Sequence, residues 1–349
     1  MLQETIERIR PADEGAKAAS EKQWDNIAKP LKSLGRLEEY IIQLAGIQRT
    51  PRVELGKKAL VVMCADNGVV EEGVTQSGQE VTAIVAENFL DTKSCAAIMC
   101  KDTGTDIFPV DIGMAVDTPR VEKRKIAYGT KNIAREPAMT YQEAVRAIEV
   151  GIGYAGELKE KGYGIIATGE MGIGNTTTSS AVSTVLLSIE PELVTGRGAG
   201  LSTEGLNRKL AVIRKAIALH KPDKNNPIDV LAKVGGLDIA GLTGIFLGGA
   251  ANGLAVVVDG FISAVAALLA VRLCPTASDY ILASHVSKEP AGTLLLDALG
   301  KKPSLTCDMC LGEGTGAVAL FPLLEMGLHI YREMSTFEET EIEHYVPLH

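Results

Sequence analysis

Two stretches of this sequence set a carboxylate among glycines: Leu311-Gly312-Glu313-Gly314-Thr315-Gly316 and Gly169-Glu170-Met171-Gly172-Ile173-Gly174-Asn175-Thr176-Thr177. Glycine lets the backbone turn sharply and lets a substrate come close to it. A carboxylate held in such a turn can serve as a general base when its surroundings tune it. A Glu opening a helix is also at home in solvent, because acidic side chains favour helix N-termini. It is the second loop, with its own Glu, that lifts the pair above that reading. Gly169-x-x-x-x-Gly174-Asn175-Thr176 overlays the phosphate-loop spacing G-x-x-x-x-G-K-[ST], with Asn175 where the lysine belongs. Without that lysine the charge on a β/γ-phosphate is not countered, which argues against ATP hydrolysis. What remains is a run of backbone N–H groups opening a helix at Thr176–Ser180, suited to a monophosphate or similar anion. Glu170 would repel phosphate, so it should point elsewhere, to sugar hydroxyls or a forming cation. A tight structural turn fits the bare pattern equally well. Gly196-Arg197-Gly198-Ala199-Gly200 is a second candidate anion loop, and Lys209 follows at one helix's distance. Pattern alone leaves Lys209 open to either a solvent or a site position.

These groups need elements to hold them. Continuous apolar runs of strand length occur at Ala59–Cys64, Asp106–Val110, Gly164–Ala167, Leu254–Val258 and Tyr280–Ala283, with a weaker sixth candidate at Leu305–Leu311 before Glu313. Helical patterns lie between them, at Val81–Leu90, Tyr141–Lys161, Asn207–Leu219 and Gly241–Ala251, and an apolar helix at Ala317–Leu324 follows Glu313. Alternation of this kind implies an α/β fold with a Rossmann-like, mostly parallel sheet flanked by helices. Asp66-Asn67-Gly68, Asp111-Ile112-Gly113, Gly169-Glu170, Asp259-Gly260 and Ser284-His285 stand just past the ends of the runs. In open α/β sheets ligands bind beyond the carboxyl ends of the strands, so these loops should converge on one crevice. Asp-Gly and Asn-Gly are ordinary turn pairs; that explains any one of them better than it explains all.

Composition excludes several classes. The 349 residues carry a net charge of −9, against a nucleic-acid role. The one basic cluster, Arg120, Lys123, Arg124, Lys125 and Lys131, is interrupted by Glu122 and reads as a solvated loop. Ile239–Leu273 is apolar enough to suggest a membrane span, but six glycines break it up and Asp259 lies well inside it, so helix, strand and a second helix from Ser263 is the better account. Met1–Arg10 lacks the apolar core of a signal peptide, and the six scattered cysteines read as free thiols in a reducing cytoplasm. Cys307-Asp-Met-Cys310 has no second pair to complete a zinc site. In the acidic tail Ser335–His349, His344 and His349 have no spacing partner for a metal, so no metal is expected.

The blocks Cys64–Val69, Gly169–Thr177, Lys233–Asp238, Val258–Phe261 and Leu311–Ala317 resemble, in order and spacing, the nicotinate-nucleotide–dimethylbenzimidazole phosphoribosyltransferase family. Lys29–Glu38 is similar to its amino-terminal "KPPGSLGRLE" block, with Leu31 and Lys32 replacing Pro and Gly. The resemblance runs from about residue 20 to 330. It implies transfer of the 5-phosphoribosyl group of nicotinate mononucleotide to a benzimidazole, without cofactor, since nicotinate leaves as a stable pyridine. It further implies Glu313 as general base, Glu170 as the second functional Glu, and substrate contacts at Ser77, Gly172, Gly174, Asn175, Thr176, Gly198, Gly200, Lys209, Asp259 and Leu311. A homodimer is implied too, and a small helical domain built from residues 1–50 and 321–349 around a catalytic domain of residues 51–320. Departures are expected mostly around the acceptor: Asn67 in "ADHG", Gly78 in the "S-P" step, Val85 for a benzimidazole-contacting Gln, Cys310 for the Arg before "LGEG", and Ala291 in "SAEPGH". They suggest an altered ring or a purine as preferred acceptor. Two other classes compete. A nucleotide-hydrolysing enzyme would need the missing lysine, and a non-catalytic nucleotide sensor has Cys310 beside the active loop as its only hint.

Overall fold

In the computed structural model, residues 1–345 are described. Six strands, β1 (Lys57–Ala65), β2 (Thr105–Gly113), β3 (Glu122–Lys123), β4 (Tyr163–Met171), β5 (Ala255–Val258) and β6 (Ile281–Ala283), form one parallel sheet in the order β3-β2-β1-β4-β5-β6. From Ala59 to Ala65 every residue of β1 is fully buried, as a strand covered by helices on both faces must be. The chain steps outward from β1 through β2 to β3, then returns to lay β4 on the other side of β1. At that reversal the connections leave in opposite directions and a crevice opens above the strand ends. Register places Met63 beside Glu170 and Cys64 beside Asp111, so both acidic residues ride at the carboxyl edge.

Five of the six apolar runs are strands. The sixth, Leu305–Leu311, is not: it makes a single bridge, Leu305 to His285, and Asp308 at φ +52° breaks any extended course. The sixth strand is instead β3, inside the basic cluster, whose Arg120, Lys123 and Lys131 are exposed as a solvated loop's would be while Arg124 and Lys125 are partly buried. Lys125 is almost buried between Asp111 (3.1 Å) and Asp117 (3.0 Å), Arg124 pairs with Glu157 (2.9 Å), and Arg120 grips Glu87 and Asp91 at 2.6 Å each. A basic run beside acidic neighbours satisfies itself locally, which periodicity cannot register.

The apolar stretch from Ile239 is the helix Leu237–Ala251, strand β5 and the helix Phe261–Leu273. Its glycines serve close packing. A Cβ at Gly244 would stand 1.9 Å from Ile148 O, and one at Gly151 2.0 Å from Gly241 O, so this helix and Tyr141–Glu160 touch backbone to backbone. Among the described residues no helix is long and apolar enough to cross a membrane.

The chain ends meet. Trp24 lies 5.0 Å from Tyr331, and Ile27 bridges to Thr336. The Lys29–Glu38 block is a buried clasp: Lys29 Nζ donates to Glu38 Oε1 at 2.7 Å and sits over the Trp24 ring. Phe337–Thr340 is a helical turn capped reciprocally by Thr336 and Glu339; His349 lies outside the described residues. One helix, Thr315–Glu333, runs from the crevice to this terminal cluster.

Candidate active site

The loops after the strands enclose a cavity of about 390 Å³. Its floor is built by pinning. Asp66, just past β1, accepts from Thr82 Oγ1 (2.6 Å) and the Ala115 amide (2.7 Å), while Thr82 Oγ1 accepts from the Ile173 amide (3.1 Å). The glycine loop after β4 is thus tied to β1. Gly172 could carry no side chain there, since a Cβ would stand 2.2 Å from Ala65 O. Gly174 at φ +95° then starts the helix Asn175–Leu187.

Asp259, past β5, does a similar job for the other loop. Its carboxylate accepts from the amides of Gly314 (3.2 Å), Gly316 (2.7 Å) and Ala317 (3.1 Å), filling the N-terminus of the helix Thr315–Glu333. Gly312, Glu313 and Gly314 all have positive φ, 84°, 61° and 87°. That conformation is uncommon for a non-glycine residue and costs of order 1 kcal/mol or more. It places Glu313 in the cavity wall, with Oε2 buried and without a hydrogen-bond partner. Burial raises the Glu313 carboxyl above the usual range; the Ala96 amide opposes this and Asp259 adds to it.

Glu170 is the last residue but one of β4, buried, its Oε2 accepting from Asn175 Nδ2. Burial first, then the negative charge of Asp238, pushes its carboxyl up to about 8. Asp238 accepts from the same Asn175 nitrogen at 2.9 Å and is itself pushed up to about 6 by burial. Asp259 is likewise raised by burial, with His285 working against it. Glu170, Asp259 and Glu313 on this wall, with Asp238 buried behind Asn175, make this side of the crevice a place for a cation rather than for an anion.

Near the Gly196–Gly200 loop the sign changes. Lys209, on the helix Thr203–His220, is fully buried and donates to Thr176 Oγ1 (2.8 Å) and Gly196 O (3.2 Å), both neutral acceptors. Burial lowers it to about 8, and Glu289 works in the opposite direction. Gly198 leaves the space beside them open: a Cβ there would lie 3.1 Å from Thr176 Oγ1 and 3.7 Å from Lys209 Nζ. A buried ammonium, a hydroxyl and the start of a helix together suit a phosphate. Apolar side chains of Val81, Val85, Met171, Ile262 and Leu311 line the same cavity and suit a flat ring.

Of the residues singled out from sequence, Glu313, Glu170, Ser77, Gly172, Gly174, Asn175, Thr176, Gly198, Asp259 and Leu311 line this cavity. Lys209 stands behind Thr176, and Gly200 (φ +101°) is tied to Gln76. A family model described as Phosphoribosyltransferase matches residues 9–342. A nicotinate-nucleotide–dimethylbenzimidazole phosphoribosyltransferase from Acetivibrio thermocellus is 49% identical, covering 99% of both chains, and one from Ruminiclostridium cellulolyticum is 48% identical, again over 99% of both. The crystal structure of CobT from Thermus thermophilus superposes with a TM-score of 0.90 at 39% identity, covering 95% of this chain and 100% of that one. This chain belongs to the nicotinate-nucleotide–dimethylbenzimidazole phosphoribosyltransferase family.

Of the five positions that depart from that phosphoribosyltransferase family's motifs, only Val85 and Cys310 line the cavity. Asn67 is behind the glycine loop, its Oδ1 accepting from Thr178 Oγ1 at 3.3 Å. Ala291 is fully buried, and a side chain at Gly78 would meet Glu80. The expected clustering of all five around the acceptor therefore narrows to two. Sequence reasoning also passed over Asp238 and Glu289 as site residues. Asp238 stood in a motif block, but nothing in its spacing tied it to Asn175, 63 positions earlier.

Proposed function

We propose that this chain transfers the 5-phosphoribosyl group of nicotinate mononucleotide to a benzimidazole, releasing nicotinate and forming an α-riboside 5′-phosphate. The observation that carries this reading is the Glu313 carboxyl, half-buried, raised by its surroundings and with one oxygen unpartnered at a cavity that also holds an anion subsite. The acceptor's nitrogen attacks the anomeric carbon as the bond to the nicotinate nitrogen breaks, its electron pair returning to the pyridine ring. The proton on the acceptor's other nitrogen passes to Glu313. Glu170, once ionised, stabilises positive charge on the ribosyl ring. Lys209 and Thr176 hold the phosphate, and the apolar wall of Val81, Val85 and Leu311 holds the acceptor ring. We further place the protein in the cytoplasm, supported by six unpaired cysteines, and as a homodimer, supported by exposed Ile84, Leu90 and Ile98 on the helices Glu80–Leu90 and Cys95–Thr103.

Incubating the protein with nicotinate mononucleotide and 5,6-dimethylbenzimidazole, without ATP, and following nicotinate by chromatography tests the reaction. Stoichiometric nicotinate and riboside phosphate are expected; no nicotinate with any benzimidazole or purine acceptor would end the reading. Because Val85 and Cys310 alter the wall, kcat/KM across acceptors is expected to favour a ring other than dimethylbenzimidazole, and strict preference for dimethylbenzimidazole would refute that part. Lys209→Met keeps the stem and removes the charge. Hydrogen bonds to charged groups contribute about 1.5–3 kcal/mol, so KM for the donor should rise roughly 10- to 100-fold with kcat little changed. An unchanged KM would remove Lys209 from the phosphate site.

A further inference from the structure

Asp238 does not line the cavity, yet it is the most directly coupled group to one that does. It lies in the first turn of the helix Leu237–Ala251, fully buried, its Oδ2 taking a 2.9 Å hydrogen bond from Asn175 Nδ2. The same nitrogen donates to Glu170 Oε2. A carboxamide NH₂ has two hydrogens, so one goes to each acid and the two carboxyls are held on either side of it. On its far side Gly312 comes close: a Cβ there would lie 2.5 Å from Glu170 Oε1. The charged groups bearing most on the pair are acidic: Asp259 past β5 and Glu313 in its loop face Glu170, and Asp66 past β1 faces Asp238. Two carboxylates this close, out of water and among others, do not both ionise without a compensating cation.

We propose that Asp238 is a positioning residue for phosphoribosyl transfer: through Asn175 it fixes Glu170 and makes the two acids hold one proton between them, which leaves when a cationic donor ring enters. The proposal rests on nicotinate mononucleotide being the donor, because its glycosidic nitrogen carries a positive charge. With Glu170 up at about 8 and Asp238 at about 6, the shared proton sits on Glu170 near neutral pH. The entering cation lowers Glu170, its O–H bond breaks, and the proton goes to solvent. The resulting carboxylate faces the ribosyl ring as charge develops there. When the product pyridine leaves neutral, Glu170 takes a proton back.

The test counts protons. Calorimetric titrations near pH 7 in two buffers of different ionisation enthalpy give the protons released on binding nicotinate mononucleotide and on binding ribose 5-phosphate. Any uptake by Lys209 at the phosphate is common to both, so the difference reports the ring's charge. Wild-type protein is expected to release at least about half a proton more with the nucleotide, and this measurement stands even if no variant folds. Asp238→Asn removes the neighbouring charge and lowers Glu170. The excess release should then fall towards zero, and the acidic limb of kcat/KM should move to lower pH by about one unit. A purely structural Asp238 would lower activity without moving the limb. Equal proton counts in wild type with both ligands bound, or an unmoved limb in Asp238→Asn, overturn the proposal alone. Ribose 5-phosphate binding with no binding of nicotinate mononucleotide overturns the donor reading and the proposal with it.

Discussion

Glu313→Gln is expected to lose at least about 10²-fold in kcat, the lower end of the scale for a general base, while the donor KM stays within a few-fold of wild type. The substitution keeps the shape and removes only the capacity to take a proton. The loop should hold its course, because its anchor is not the Glu313 side chain but the Asp259 carboxylate on the Gly314, Gly316 and Ala317 amides. The proposed phosphate subsite is formed by groups on other elements, Thr176 and Lys209. The pH dependence supplies a second readout. A base must be ionised to work, and burial raises Glu313, so wild-type kcat should climb with pH through that raised value. In Glu313→Gln this climb should disappear from the residual activity. Turnover within about tenfold of wild type, with the climb intact, would show that another group takes the proton. The closest alternative is Glu170, which is buried, raised further and part of the same cavity.

The parts of this arrangement that were legible from sequence are those where local chemistry and global fold agree. Parallel strands must be apolar where helices bury them, so the buried stretches of β1, β2, β4, β5 and β6 announced themselves. The polar residues immediately past them had to converge, because parallel strands share one carboxyl edge. Glu313 and Glu170 stood out because glycines flank them. The illegible parts depend on pairing across distance. Strand β3 is two charged residues long, Glu122 and Lys123, and exists only because β2 offers its edge. Leu305–Leu311 has strand-like composition but makes a single bridge, to His285, before Asp308 turns the chain. Asp259 read as a nucleotide contact and does line the cavity, but its second task, filling a helix N-terminus from a neighbouring strand end, is a link that no spacing rule makes. Asp238 is the extreme case: an acid in a buried helix whose meaning appears only once Asn175 and Glu170 are beside it.

That division also decides which glycines are functional. Gly169 lies inside β4, paired with Val62 of β1, where a glycine weakens a strand unless something must come close. What comes close is the Glu313 loop: a Cβ on Gly169 would stand 2.7 Å from Glu313 O, 2.8 Å from Glu313 C and 2.9 Å from Gly314 N. All three are backbone atoms, and β4 cannot yield, being clamped between β1 and β5. In Gly169→Ala the loop must therefore retreat by roughly 1 Å, a displacement that can cost 10²-fold in rate. The expected result is a folded protein with kcat down about 10²-fold, destabilised by about 1–3 kcal/mol as overpacked sites are, and with donor affinity largely kept at Thr176 and Lys209. Gly153→Ala is the control. That glycine sits in the helix Tyr141–Glu160, where an added methyl would have nothing within 4 Å, so alanine should raise stability by about 0.5–1 kcal/mol and leave turnover alone. Thermal denaturation and steady-state kinetics on the two variants separate the cases. If Gly169→Ala turned over at the wild-type rate, the position of the Glu313 backbone would not matter to the chemistry, and the role of the left-handed turn in aiming the carboxylate would fall.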